Sequence, residues 1–427
     1  MPVHTFEEVL AFLYQQLPMY QRVGPAALKP SLQNTKDFCW ELGLPQWQFH
    51  SIHVAGTNGK GSVSSMLASI LQEAGYKTGL FTSPHLTSFT ERIRINGIEI
   101  SEEEVIEFVH LYRKAIDLIK PSFFELTTGM AFLQFASEDV DIAVVEVGLG
   151  GRLDSTNVIT PELSVITQID FDHVGLLGDT LPQIAGEKAG IIKQLTPVVI
   201  SERHPETEVV FLEKAASLEA PILFAQDTHQ LEALQQDLHS QRFRDLETGE
   251  EWELSLAGHY QKENLQAVLA AVDQLREDGW NIPAEAVRQG LQKVAANTGL
   301  RGRMEVLSES PTVLLDTGHN PAGVKAAVQQ ILAHPHDQLH IVWGMVNDKD
   351  VSAVLELLPA AATYYFVQAD LPRAMKAEAL AAKAHQLGLK GTAAGSVEIG
   401  MIQAKAAASP DDLIWVGGST FVVAEAI

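Results

Sequence analysis

Residues 56–62 read Gly56-Thr57-Asn58-Gly59-Lys60-Gly61-Ser62, and this is the run whose residue types and spacing point most directly to chemistry. An apolar stretch, Phe49–Val54, precedes it. Val63, Met66, Leu67, Ile70 and Leu71 follow at helical spacing until Gly75, so the turn is expected between a strand and a helix. Backbone N–H groups in such a turn converge on phosphate oxygens at a helix N-terminus that carries about half a positive charge. Lys60 would reach the β- and γ-phosphates, and the Ser62 hydroxyl would serve Mg²⁺ or phosphate. The strict phosphate-loop pattern has Ser or Thr directly after the lysine. Here Gly61 intervenes, and the strand–turn–helix context carries the reading instead.

The elements that position this turn follow an α/β pattern, short apolar runs alternating with helical periodicity, as in a mostly parallel sheet flanked by helices. Asp141–Val147 and Leu163–Ile169 read as further strands, each followed by a polar, glycine-containing loop where such folds place ligands. A second series, Thr312–Leu315, Leu339–Trp343, Thr363–Gln368 and Asp412–Val416, is separated by Ala- and Leu-rich helical stretches such as Ala377–Leu387 and predicts a smaller α/β unit. The join falls in Asn297–Arg303, after the helical Ala284–Ala296. That gives a first domain over 1–297, a linker over 298–303 and a second domain over 304–427. Residues 203–255 are polar with little pattern, apart from a surface hairpin expected over Arg242–Trp252.

Composition bounds the function. With 46% hydrophobic and 20% charged residues, the 427-residue chain is globular, and its length favours two domains. A formal charge of −24 opposes nucleic-acid or anionic-membrane surfaces, which need a positive field. The single Cys39 excludes an internal disulfide and a thiolate zinc cluster. The first residues carry acids where a secretory segment needs positive charge, and no apolar run reaches the ~18 residues of a membrane span. A cytoplasmic location is therefore expected.

Glu146 ends an apolar strand, where a carboxylate is costly unless it is paired, for instance with Arg152, or binds metal. Phosphoryl transfer asks for such hard oxygen ligands on a divalent cation. The string HVAGTNGKGS, with TSPHL at 82–86 and ERIRING at 91–97, resembles the folylpolyglutamate synthase and dihydrofolate synthase family of Mur-type ligases. The resemblance continues through VEVGLGGRLDSTN (145–157), DHVGLLG (172–178), GEKAG (186–190), RGRME (301–305), DTGHNP (316–321), NDKD (347–350) and GGSTF (417–421). It implies an N-terminal ATPase domain, a smaller C-terminal Rossmann-like domain, and ligation of L-glutamate to dihydropteroate, to a folate, or to both. An acyl phosphate is the implied intermediate.

By that resemblance, Glu146 is a ligand shared by two Mg²⁺ ions, with Ser83 serving the first and His173 the second. Lys188 matches a lysine that is carbamylated and helps hold the second ion. Arg303 is placed on ATP phosphate, Asp316 on the ribose and Asn264 on adenine; His319 accompanies them in DTGHNP. Phe123, Phe124 and Glu125, with Arg152 and Asp154, match segments near the pteridine, although adjacent phenylalanines are as often core. DTGHNP has Thr317-Gly318 where the family commonly shows Gly-Ala, and Gln21–Asn34 departs from the common substrate loop. One chain carries the whole set, so a monomer suffices, with small-molecule substrates as its partners. The alternatives are another Mur-type amino-acid ligase, disfavoured because only about 50 residues precede Gly56, and a non-catalytic nucleotide-binding module.

Overall fold

The computed structural model describes residues 5–17, 31–347 and 351–427. Most of the Gln21–Asn34 segment and Asp348–Asp350 of the NDKD motif lie outside the described residues. Two compact units emerge, Met1–Glu232 with Arg244–Glu253 and Lys262–Leu300, and Ala233–Phe243 with Leu254–Gln261 and Arg301–Ile427. Among the described residues no helix is long and apolar enough to cross a membrane.

The first unit is built on strands β1 (His50–Ala55), β2 (Thr78–Phe81), β3 (Ile93–Ile95), β4 (Ile98–Glu99), β5 (Ile142–Glu146), β6 (Leu163–Ile166), β7 (Val198–Ile200) and β8 (Ile222–Phe224). They lie in the order β4-β3-β2-β5-β1-β6-β7-β8. The strands from β2 to β8 run parallel, and only β3 and β4 pair antiparallel at one edge. Strands buried on both faces need continuous apolar runs, and IAVVE and LSVI supply them without exposed positions. Register aligns Val54 with Glu146 on one side and with Val165 on the other. The loops after β1, β5 and β6 therefore leave the sheet side by side at its carboxyl edge, the crevice where open α/β sheets bind ligands.

The helix Lys60–Glu73 starts directly on Gly59 and is buried from Gly61 to Leu71. Phe123–Ser137 begins with a reciprocal cap: Glu125 N–H donates to Ser122 Oγ, and Ser122 N–H donates to Glu125 Oε2 at 2.6 Å. Leu181–Lys188 begins with the same device, made by Thr180 and Gln183. The three-stranded sheet β9 (Leu231–Gln236), β10 (Gln241–Asp245) and β11 (Glu251–Leu254) contains the expected hairpin, turned at Gly249. The stretch before it, without pattern in the sequence, also holds the helix Glu208–Ser217.

The second unit contains β12 (Glu305–Glu309), β13 (Thr312–Leu315), β14 (Leu339–Trp343), β15 (Thr363–Gln368), β16 (Lys390–Ser396) and β17 (Leu413–Gly417), in the order β12-β13-β17-β14-β15-β16. All but β12 are parallel to their neighbours. Trp343 and Trp415, with ring centroids 4.9 Å apart, anchor its core. The sequence reading lacks β12 and β16. Both are edge strands, and KGTAAGS, mostly solvent-facing, has neither β-branched enrichment nor alternation to signal it.

Candidate active site

The turn after β1 is held by β6 and the loop that follows it. Thr57 N–H donates to Gln168 O at 2.7 Å, Thr57 Oγ1 donates to Asp170 O and accepts from Asp170 N–H, both at 3.0 Å, and Thr167 Oγ1 donates to Asn58 O at 2.6 Å. The backbone of Gly56 and Gly59 takes up φ of +154° and +89°. A Cβ at Gly56 would lie 1.8 Å from Thr167 Oγ1, and one at Gly59 would lie 2.2 Å from Asn264 Oδ1. Only glycine permits these approaches. Asn264, assigned to adenine by resemblance, is buried in the first unit against the phosphate turn.

Two lysines meet at this turn. Lys60 Nζ donates to the carbonyls of Gly56 and Thr57, both at 3.1 Å, and Lys188 Nζ donates to Gly56 O at 2.7 Å. Lys188 is 3% exposed, although it lies at the end of a short helix where a solvated lysine would be the ordinary expectation. Burial and the neighbouring Lys60 charge lower its pKa to about 7, against the opposing pull of Asp172 and Asp154. Asp172 also accepts the His173 N–H at 2.8 Å, and His173 sits in the left-handed region at φ 51°.

At the end of β5, Glu146 is 4% exposed and its Oε2 accepts the Ser83 N–H at 3.0 Å. The ion pair of Glu146 with Arg152, open in the sequence, does not form. Arg152 instead reaches Glu187 Oε1 at 2.8 Å. No group of three or more His, Cys, Asp or Glu side chains is gathered for a metal among the described residues. Mg²⁺ needs no such cage, since it retains waters and binds through one or two carboxylates and phosphate oxygens. A buried carboxylate beside Ser83, one strand from the phosphate turn, has the hard-oxygen chemistry that Mg²⁺ takes.

The residues assigned to the pterin divide. Phe124 packs on Phe81 at 5.9 Å, whereas Phe123 is buried in the core among Tyr14 and Phe89. Glu125 is engaged in its helix cap. The Asp154 carboxylate accepts from Leu149 N–H and Thr156 N–H at 2.9 and 3.0 Å, and from Thr156 Oγ1 at 2.5 Å; burial raises its pKa despite these bonds. In the second unit Asp316 is buried, takes Gly318 N–H at 2.8 Å, Met304 N–H at 3.2 Å and the Tyr260 hydroxyl at 3.3 Å, and feels the Arg303 charge. Its pKa is raised by burial. His319 Nδ1 lies 3.0 Å from Thr317 O. The sequence reading passed over Thr167, Asp170 and Tyr260. Asp170-Phe171-Asp172-His173 was a polar signal for the second of these, and the other two carry none.

Residues 54–272 match the Mur ligase middle domain, and residues 302–420 match the glutamate ligase domain of Mur ligases. The dihydrofolate synthase/folylpolyglutamate synthase of Bacillus subtilis is 37% identical over 366 residues, 83% of this chain and 84% of that one. The Escherichia coli FolC structure in complex with DHPP and ADP superposes with a TM-score of 0.85 at 30% identity, over 100% of this chain and 97% of the other. A bifunctional folylpolyglutamate synthase/dihydrofolate synthase with Mn, AMPPNP and L-glutamate bound superposes with a TM-score of 0.83 at 29% identity, over 99% and 98% of the two chains.

Proposed function

Because the chain belongs to the folylpolyglutamate synthase/dihydrofolate synthase family of Mur ligases, we propose how its residues divide the work of that chemistry. The protein is an ATP-dependent, ADP-forming ligase that joins glutamate in folate metabolism. Its acceptor is dihydropteroate, a folate, or both. The acceptor carboxylate attacks the γ-phosphorus and ADP leaves. The glutamate amine then attacks the acyl phosphate carbon, and phosphate leaves as the amide forms.

The observation that carries this reading is the meeting of Lys60 and Lys188 at the Gly56 carbonyl, one strand from the buried Glu146. Lys60 turns from the loop carbonyls to the β- and γ-phosphate oxygens when nucleotide enters, and the N–H groups of Gly56 to Ser62 complete the cradle. Lys188, with a pKa of about 7, offers a neutral amine near physiological pH. That amine adds CO₂, forming an N–C bond and losing a proton, and becomes a carbamate. Ser62, Ser83, Glu146, His173 and carbamylated Lys188 would hold two Mg²⁺ ions, which when bound offset phosphate charge. Arg303 serves ATP phosphate, Asp316 the ribose and Asn264 the adenine. Phe124 borders the pterin, and by the family resemblance Phe123, Glu125, Arg152 and Asp154 belong to the same segments. The first domain spans 1–297 and the second 304–427, and a monomer acting in the cytoplasm suffices.

The test is ADP release with Mg²⁺, ATP and L-glutamate, comparing dihydropteroate and tetrahydrofolate. Turnover with both shows a bifunctional enzyme, and turnover with one assigns a single step. Saturable release with a UDP-sugar peptide alone, or slow ATP turnover indifferent to any amino acid, would replace this reading with another Mur-type ligase or a nucleotide-binding module.

A further inference from the structure

Arg92 ends the short 3-10 helix Phe89–Arg92 and is only 2% exposed. Its Nε–H donates to His85 Nδ1 at 2.8 Å, and its guanidinium carbon lies 5.2 Å from the Phe123 ring centroid. Among the described residues this is the side chain's one hydrogen bond. The adjacent Glu91 does not take the remaining donors, because its two oxygens are engaged by Leu86 N–H, Thr87 N–H and hydroxyl, and Ser88 N–H. A guanidinium carries five N–H donors and keeps its charge. Both Nη groups thus lie over an aromatic face of a buried residue without a hydrogen-bond acceptor among the described residues, although a buried charge requires one.

The surroundings define which anion would satisfy them. Arg92 directly precedes β3, and the sheet order β3-β2-β5-β1 sets it two strands from Glu146 and three from the phosphate turn. At about 4.8 Å per strand, that is roughly 10 Å and 14 Å. Tyr14, Glu146 and Glu91 all act on the Arg92 charge. By strand order Arg92 is on the far side of Glu146 from the nucleotide. A planar fork with parallel donors matches a carboxylate better than any other biological anion except phosphate, and phosphate is already provided for at the turn. His85, whose Nδ1 accepts the Nε–H at 2.8 Å, fixes the fork's orientation.

We propose that Arg92 binds the acceptor's carboxylate, the group that is phosphorylated, with His85 as its positioning residue. This rests on the ligase reading above. Binding of pteroate and of its carboxamide analogue is measured by calorimetry on the ADP-loaded full chain without glutamate, so that no turnover occurs. Wild type is expected to prefer pteroate. Arg92→Gln should weaken pteroate roughly 10- to 100-fold, as the loss of paired charge-assisted hydrogen bonds implies, while the carboxamide and ADP stay within about twofold. Arg92→Lys, which keeps the charge but not the fork, should fall between, and His85→Gln should weaken pteroate less than Arg92→Gln does. Equal loss for both ligands, unchanged pteroate affinity in the variants, or a wild type indifferent to the carboxylate would overturn the assignment. The last of these needs no variant to fold. A wild type that binds neither ligand yet binds ADP would overturn the ligase reading with it, whereas intact wild-type turnover with an indifferent Arg92→Gln defeats Arg92 alone.

Discussion

Replacing Lys188 with methionine removes a buried cation while keeping most of its volume, and the consequence for stability has a definite pH signature. The folded pKa of about 7 stands against an ordinary 10.5. Between these values the unfolded chain binds a proton that the folded chain does not, so wild-type stability rises with pH across that window. Below pH 7 both states are charged and the full penalty is present. At about 1.4 kcal/mol per pH unit, the ionisation of Lys188 alone makes wild type gain about 2.5 kcal/mol between pH 6 and pH 9 relative to Lys188→Met. Urea unfolding of both proteins at pH 6, 7.5 and 9 in CO₂-free buffer reads this difference. Bicarbonate added at pH 7.5 should further stabilise wild type but not the variant, because a carbamate forms only on the folded, neutral amine. Lys188→Met should also lose ADP release, and a short carboxylic acid should restore part of it to Lys188→Ala. Parallel stability curves for the two proteins would refute the buried-charge argument, and a fully active Lys188→Ala would refute the role given to the side chain.

Lys60→Ala should abolish ATP turnover while costing less than about 1 kcal/mol in urea unfolding, since its bonds to Gly56 O and Thr57 O are made to carbonyls of a partly exposed loop. Gly59→Ala combines a positive φ with a Cβ 2.2 Å from Asn264 Oδ1; it should cost at least about 1–2 kcal/mol and weaken nucleotide binding, and the cost should shrink when Asn264→Ala is added. His229 lies 2.6 Å from Asp245 and 3.1 Å from Asp273, and although burial opposes its charge, these hydrogen bonds and carboxylates raise its pKa. Its contribution is therefore full below about pH 6.5 and is lost as pH rises through the folded pKa, so His229→Gln should cost about 2 kcal/mol at pH 6 and progressively less at higher pH in the same unfolding assay.

What the sequence makes legible follows from how local each signal is. The phosphate turn is legible because strand, glycines, lysine and helix are contiguous, and the parallel sheets are legible because strands buried on both faces must be apolar throughout. Glu146 stands out for the same reason, a carboxylate closing such a strand. Side-chain partners separated in sequence are a different matter. Lys188 reaches Gly56 across 132 positions, and nothing in GEKAG distinguishes a buried lysine from a solvated one. Arg152 has two plausible carboxylates in the sequence, and the fold selects Glu187. Ser122-x-x-Glu125 did carry a local signal, the capping box, which competes directly with a ligand role for Glu125.

Arg92 shows where a structure adds to a motif already recognised. ERIRING marks the family, but its charged residues look alike in the sequence. The fold separates them: Arg94 has both Nη groups on acceptors, Gly97 O at 3.1 Å and Glu99 Oε1 at 2.8 Å, Glu91 closes its own turn, and Arg92 is buried with neither Nη group on an acceptor among the described residues. Parallel topology explains why this matters. Every residue that follows a parallel strand emerges at the same edge, so nucleotide turn, Glu146 and Ser83 assemble there whatever their distance in sequence. The antiparallel β3 starts at that edge, with Ile93 opposite Phe81, and Arg92 just before it takes the Thr82 N–H on its carbonyl at 3.0 Å, in the loop after β2. A cation delivered there, on the side away from the nucleotide, is placed for the substrate that the nucleotide must phosphorylate.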